Sequence, residues 1–334
     1  MLMTTGNNHY KKQESCRFFI KKIKVLKMKE LLKQRIERDI DRKQYNYMND
    51  LLFKFVFGKE ERKEITIDFL NAALERSGED EIKDITFKNT ELSAQALKDK
   101  SVRLDVFCIT QRGEKVDVEV QLSNQYNMEK RTLFYWALMY IDGHKQGEDY
   151  AKLKPAITIN LLNFTIFENA PVHSMYAVYN EDMKQRLNND LELHFFEINK
   201  FQKKPIEEMT RIERWLAYFS NKLNAKELEE LGMVEPMIQN AIKASDKFMD
   251  NMDERLAYIN REMAIMDEIS NREGSLKEGF EKGFAEGLKK MDQAVNRIIT
   301  NMIQAGLDDD QIAKITNQSL ETIQQVREDL NKAK

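Results

Sequence analysis

Cysteine is almost missing from this chain: Cys16 and Cys108 are the two among 334 residues, far apart in sequence. They cannot build a disulfide framework or a zinc site of paired thiolates. Histidine is nearly as scarce, and His9, His144, His173 and His194 include no i, i+4 pair, so a helical histidine zinc site is not expected either. Four prolines and twelve glycines are too few for a long low-complexity or collagenous chain. No stretch approaches the ~18 uninterrupted apolar residues of a membrane span. The apolar run near the basic N-terminus, Phe18-Phe19-Ile20, is too short for the core of a signal peptide. These absences point to a reduced, cytoplasmic protein without a membrane partner.

What the chain has instead is charge and enough apolar mass for a core: 33% Asp, Glu, Lys and Arg beside 42% hydrophobic residues. At ~150 residues per domain, its length predicts about two domains. The net charge is −3, so the whole is not a basic nucleic-acid coat, yet residues 1–44 hold 13 Lys/Arg against 5 Asp/Glu. A basic extension of this kind adds sequence-independent affinity for DNA phosphates; a solvated helix or a leader is the blander reading. Met28 opens MKELLKQ, an alternative start that would make residues 1–27 an extension.

Residues 28–43 read as a charged helix. In YNYMNDLLFKFVF (45–57) a helical apolar pattern follows Asn49 and Asp50, the cap region, and Gly58 interrupts it. ITIDFLNAALERS (65–77) reads as a second helix and KDITFKNTEL (83–92) as a short strand. A helix is expected over 125–146, strands over 156–164, 173–180 and 191–198, and helix again over 205–231. Strand, helix, strand in this order predicts an α/β class, a mixed sheet of about four or five strands flanked by helices. Beyond about residue 235 the strand signals vanish. A domain boundary is expected between 232 and 250, before an all-helical tail.

The strongest local pattern is a hairpin. VRLDVFCIT (102–110) and KVDVEVQL (115–122) alternate strictly on either side of a loop ending in Gly113. A three-residue loop with glycine in the left-handed region puts Thr110 opposite Glu114, and therefore Asp105 opposite Glu119. The even positions, among them Leu104, Val106, Cys108, Val116, Val118 and Val120, are apolar and belong on a core. The odd positions, Arg103, Asp105, Phe107, Ile109, Asp117, Glu119 and Gln121, read as a solvent-facing polar side, partly covered around Phe107 and Ile109. Asp117 reads there as a solvated carboxylate. Two carboxylates one cross-strand spacing apart repel each other. A divalent cation between them reverses the sign, and oxygen ligands suit Mg²⁺ or Mn²⁺.

RLDV, a glycine turn and VEVQ together resemble the D-x(n)-E-x-Q form of the PD-(D/E)XK nuclease core. The surroundings resemble its recombination-promoting nuclease (Rpn) and transposase branch. That branch's D-x-x-F-K-x-x-F-G is matched by Asp50, Phe53, Lys54, Phe57 and Gly58. Its leucine/asparagine helix is matched by DFLNAALE (68–75), and its K-R helix with tyrosine and tryptophan by KRTLFYWALMY (130–140). The G-x-x-Y-x-x-L-x-P stretch before an apolar strand is matched by Gly147, Tyr150, Leu153 and Pro155. The resemblance spans about residues 46–330.

The resemblance implies a PD-(D/E)XK nuclease-like mixed sheet over residues 45–235, following the 1–44 extension. It also implies Mg²⁺-dependent (or Mn²⁺-dependent) endonucleolytic hydrolysis of DNA, promoting recombination. Asp105 and Glu119 would bind the metal. Asp50 would complete the metal shell or orient water, its plainer role being a helix cap. Gln121 stands where the superfamily usually has lysine; an amide orients water but neutralises no charge, so Lys54 or Lys130 is the hypothesised source of the missing charge. Lys54, Lys130 and Arg131 are candidate DNA-phosphate contacts, while Tyr135 and Trp136 read as core. A reading of a different class is a catalytically weak or inactive DNA-binding or assembly protein that keeps the fold.

The tail, 236–334, holds two features. GSLKEGFEKGFAEGLKK (274–290) sets Leu276, Phe280, Phe284 and Leu288 in one helical row with glycines beside it. Each interior glycine costs ~1 kcal/mol relative to alanine, which close packing against a partner helix would offset; homo-oligomerisation is one reading and a frayed linker the other. Residues 298–330 form three short helical runs broken at Gly306 and Asn317. They resemble a helix-turn-helix layout, but the acidic turn at Asp308, Asp309 and Asp310 favours a small packing unit over a base reader.

Overall fold

The computed structural model describes residues 26–92 and 102–332. The readings of the N-terminal extension up to residue 25, Cys16 and His9 included, lie outside the described residues. The alternation along the hairpin carries over directly. Strands β1 (Ile85–Phe87), β2 (Glu91–Leu92), β3 (Val102–Arg103), β4 (Val106–Thr110) and β5 (Lys115–Gln121) arise from the segments expected to be extended. β4 and β5 pair antiparallel with Val106 opposite Val118 and Cys108 opposite Val116, the register a three-residue loop requires. Gly113 sits at φ 84°, a conformation that strains any residue with a Cβ.

Beyond β5 lie β6 (Ala156–Leu162) and β8 (Leu191–Glu197), both parallel, and β7 (His173–Tyr176) closes that edge antiparallel. The sheet order is β1-β4-β5-β6-β8-β7. It has six strands, not four or five, because the short β1 pairs along β4 and forms the other edge. β2 and β3 make a separate two-stranded ladder. VRLDVFCIT is therefore not one strand: the chain breaks at Leu104–Asp105, where the Leu104 N–H goes to the Thr90 carbonyl.

One face of the sheet carries the main core. Val106, Cys108, Val116, Val118 and Val120 meet the helix at 26–41 (α1), α2 (Asp50–Phe57), α3 (Lys63–Ala73), α5 (Arg211–Phe219), α6 (Ala225–Val234) and α7 (Pro236–Asp250). Phe57, Phe69, Trp215 and Phe219 stack edge to face at its centre. α7 buries Ile238, Ala241 and Phe248 in this core, and Tyr258 and Ile259 of α8 (Met252–Gln304) follow. For that reason the first compact unit runs to Asp267, past the 232–250 interval.

The other face is covered by α4 (Met128–Ile141). Leu104, Phe107, Met139 and Ala156 form one cluster there, and Met128, Leu162, Leu193 and Phe195 another. Lys115 holds the end of α4, donating from Nζ to the carbonyls of Met139 at 2.8 Å and Asp142 at 2.6 Å. Phe107, Asp117 and Glu119, at odd positions of the hairpin, therefore do not face solvent, contrary to the sequence pattern; a helix lies over them, while Arg103 is exposed.

In the second unit, Glu268–Lys334, the glycine row is interior to α8. α9 (Asp309–Thr316) and α10 (Leu320–Lys332) pack on the end of α8 through Ile299, Ile312 and Ile323. Asp308 caps α9, and Asn317 ends it at φ 55°. No described helix is long and apolar enough to cross a membrane.

Candidate active site

The break before β4 is what assembles the site. Released from the ladder, the Asp105 N–H donates to Glu119 Oε1 at 2.9 Å, and the Val120 N–H donates to Asp105 Oδ2 at 3.1 Å. Each carboxylate thus takes a backbone donor from the other segment. Each also takes a cation. Lys54 Nζ, on α2, lies 2.7 Å from Asp105 Oδ1. Arg131, in the first turn of α4, donates from Nη2 to Glu119 Oε2 at 2.8 Å. The cross-strand repulsion expected between Asp105 and Glu119 is offset in this way by two protein cations and two N–H groups.

α2 is placed so that Lys54 reaches the site. Asn49 caps it, accepting from the N–H groups of Leu51 and Leu52, and its amide donates to Glu262 of α8 at 2.8 Å. Asp50 is therefore not the cap. It lies in the first turn of α2, four residues before Lys54, and pairs with Arg261 at 2.7 Å. Arg131 is steadied from its own helix, donating from Nε to the Tyr135 hydroxyl at 2.9 Å. Trp136 anchors α4 by donating to the Ala156 carbonyl at 3.0 Å. Of the residues singled out in the sequence, Asp105, Glu119, Lys54 and Arg131 come together. Gln121 ends β5 half-buried, two residues beyond Glu119. Lys130 is exposed beside Arg131, and Asp50 is held by Arg261.

Asp117 overturns its reading. It is 0% exposed rather than solvated, because α4 covers its face of β5. Neither of its carboxylate oxygens has a hydrogen-bond partner. The signal was present in the alternation, which puts Asp117 on the same side as Phe107 and Ile109. Burial, with Glu119 and then Asp105 adding like charge, holds the Asp117 carboxyl well above the usual range. Burial, with Asp105 next, also pushes Glu119 up to about 8 against the opposing pull of Arg131.

A raised carboxyl fixes the sign of a pH dependence. The folded value of about 8 lies above the ordinary 4.5, so folding takes up a proton at Glu119. Stability from this group is complete below the ordinary value and is lost as the pH rises through the folded one. The metal-free protein is expected to show a falling melting temperature from pH 5 to about pH 8, measured by a thermal-melt series in chelator; a flat profile would contradict it.

The donor set fits a hard divalent cation. Three carboxylates on one hairpin offer only oxygen, and Asp117 is a buried carboxylate still without a donor. Among the described residues, no three His, Cys, Asp or Glu side chains stand ready as a ligand set; Asp105 and Glu119 are turned to Lys54 and Arg131. A family model described as PD-(D/E)XK nuclease family transposase matches residues 47–274. No curated protein and no solved structure matches the chain.

Proposed function

The chain belongs to the PD-(D/E)XK nuclease family transposases, and from that premise we propose that it is a Mg²⁺- or Mn²⁺-dependent DNA endonuclease of the recombination-promoting type. The observation that carries this reading is the pairing of Asp105 with Glu119 across the hairpin, the first half-buried and the second buried, each already facing a cation. Asp105 and Glu119 are the residues that would hold the divalent ion. Bound there, it would polarise the scissile phosphate and lower the pKa of the attacking water.

The chain's own groups supply the rest. Lys54 replaces the charge that Gln121 does not provide: its ammonium is in the site, whereas Lys130 is exposed outside it. Arg131 places a second positive charge beside the phosphate, and the Gln121 amide orients water. Lys130 and the basic residues of 1–44 add sequence-independent contacts to the DNA backbone. On α8, Leu276, Phe280, Phe284 and Leu288 are exposed, which supports self-association through the C-terminal helical region.

Purified protein is expected to nick supercoiled plasmid in Mg²⁺ or Mn²⁺ and to stop with chelator. Lys54→Ala should lower the rate at saturating DNA, whereas Lys130→Ala should weaken DNA binding in a salt-dependent way and leave that saturated rate near wild type. Tight DNA binding with no cleavage in either ion would favour an assembly protein that has kept the fold.

A further inference from the structure

On the α4 side of the sheet, three buried oxygens at adjoining positions of β5 and β6 have no hydrogen-bond partner; the Ser174 hydroxyl on the edge strand β7 is a fourth, three strands away from β5. Of the first three, two belong to Asp117 on β5 and one is the Thr158 hydroxyl on β6. The two residues are direct partners in the parallel β5–β6 register, so their side chains share one face. Glu119 and Asn160 are the next such pair on that face. Asp117 is 0% exposed and Thr158 1%. A buried oxygen without a donor carries the full cost of its lost hydration, and a carboxylate carries the most.

The contrast with the neighbouring carboxylates is sharp. All four oxygens of Asp105 and Glu119 have donors: Lys54, the Val120 N–H, the Asp105 N–H and Arg131. Both site cations are thus directed at those two residues. Asp117 holds the carboxylate that no donor reaches, and the neutral hydroxyl beside it lacks a partner as well. An oxygen-only pair of this kind calls for a hard cation, since soft or borderline metals favour nitrogen and sulfur. Asp117 offers an ion a carboxyl that neither Lys54 nor Arg131 occupies, and the ion takes the place of its proton.

We propose that Asp117 is a further oxygen ligand of the divalent-cation site, with the Thr158 hydroxyl as the adjoining oxygen on β6. The inference rests on the nuclease reading above. It makes the hairpin a three-carboxylate device in which the member deepest under α4 completes the ion's surroundings.

Calorimetric titration of the full-length protein with MnCl₂, with free Mn²⁺ followed by electron paramagnetic resonance, tests it. Asp117→Asn preserves shape and removes the charge. It is expected to weaken Mn²⁺ affinity by about tenfold or more and to shrink the rise in melting temperature that Mn²⁺ produces in the wild type. Unchanged affinity in a folded Asp117→Asn protein would overturn the inference and leave the nuclease reading standing. No Mn²⁺ uptake by the wild type would sink both. Anomalous diffraction from a Mn²⁺-soaked wild-type crystal needs no variant to fold: an ion within ligand distance of an Asp117 oxygen supports the assignment, and one on Asp105 and Glu119 alone overturns it.

Discussion

Asp105→Asn and Glu119→Gln are each expected to lower plasmid cleavage by about 10³-fold while the protein stays folded. A hard cation beside a reacting phosphate contributes several kcal/mol of transition-state stabilisation, and about 4 kcal/mol corresponds to that factor in rate. The amides are preferable to alanine. Glu119 is 2% exposed and pairs with Arg131. Alanine there would open a cavity and leave a guanidinium without its partner, so lost rate and lost stability would be confounded. The amide variants keep an acceptor for the Asp105 and Val120 N–H groups and relieve repulsion among three carboxylates. Their melting temperatures in chelator should match or exceed the wild type. Nicking rates measured alongside circular dichroism decide the matter; wild-type cleavage by both variants would place the chemistry elsewhere.

Arg131→Met is expected to destabilise the metal-free protein by about 3–5 kcal/mol at pH 9, the usual cost of removing one member of a buried ion pair. At pH 6 the loss should be smaller. Glu119, with its carboxyl pushed up to about 8, can take a proton there and no longer needs a countercharge. Above that value the wild-type carboxyl is ionised against Arg131; with methionine it must either stay charged facing Asp105 and Asp117, with Lys54 as the remaining cation, or take up a proton from an alkaline solution, and both cost stability. Urea unfolding at the two pH values measures both numbers. A loss below about 1 kcal/mol at pH 9 would mean that the pair contributes no more than a surface salt bridge does. Mn²⁺ should recover part of the loss, because it supplies the charge that the arginine gave.

The hairpin was readable before any coordinates because its information is local. Alternation sets which side chains share a face, and a glycine at the third loop position sets the register, so Val106 opposite Val118 and Cys108 opposite Val116 followed from counting; Asp105 meets Glu119 through the break before β4, which the alternation did not show. A cap at Asn49 or Asp50 and Gly58 as the stop of α2 were legible for the same reason; the structure chose Asn49. Strand, helix, strand order was enough for a mixed sheet flanked by helices, though not for the number of strands. β1 is three residues long and owes its place to β4.

Burial was marked locally only by Phe107 and Ile109 on the face of Asp117, which did not say how deep it goes. Whether Asp117 is solvated depends on α4, whose side chains begin eleven residues later in the chain and whose seat over β5 is held by Lys115 reaching carbonyls at its far end. Whether Lys54 or Lys130 serves the site depends on α2 being capped by Asn49 and tied to Glu262, more than two hundred residues away. The amino-acid sequence by itself determined the hairpin, its register and the class of fold, because neighbours along a strand and across a tight turn are its own contacts. Which cations answer those carboxylates, and which third acid is shut away from water beside them, was decided by tertiary packing, since desolvation and countercharge come from elements that only the folded chain brings together.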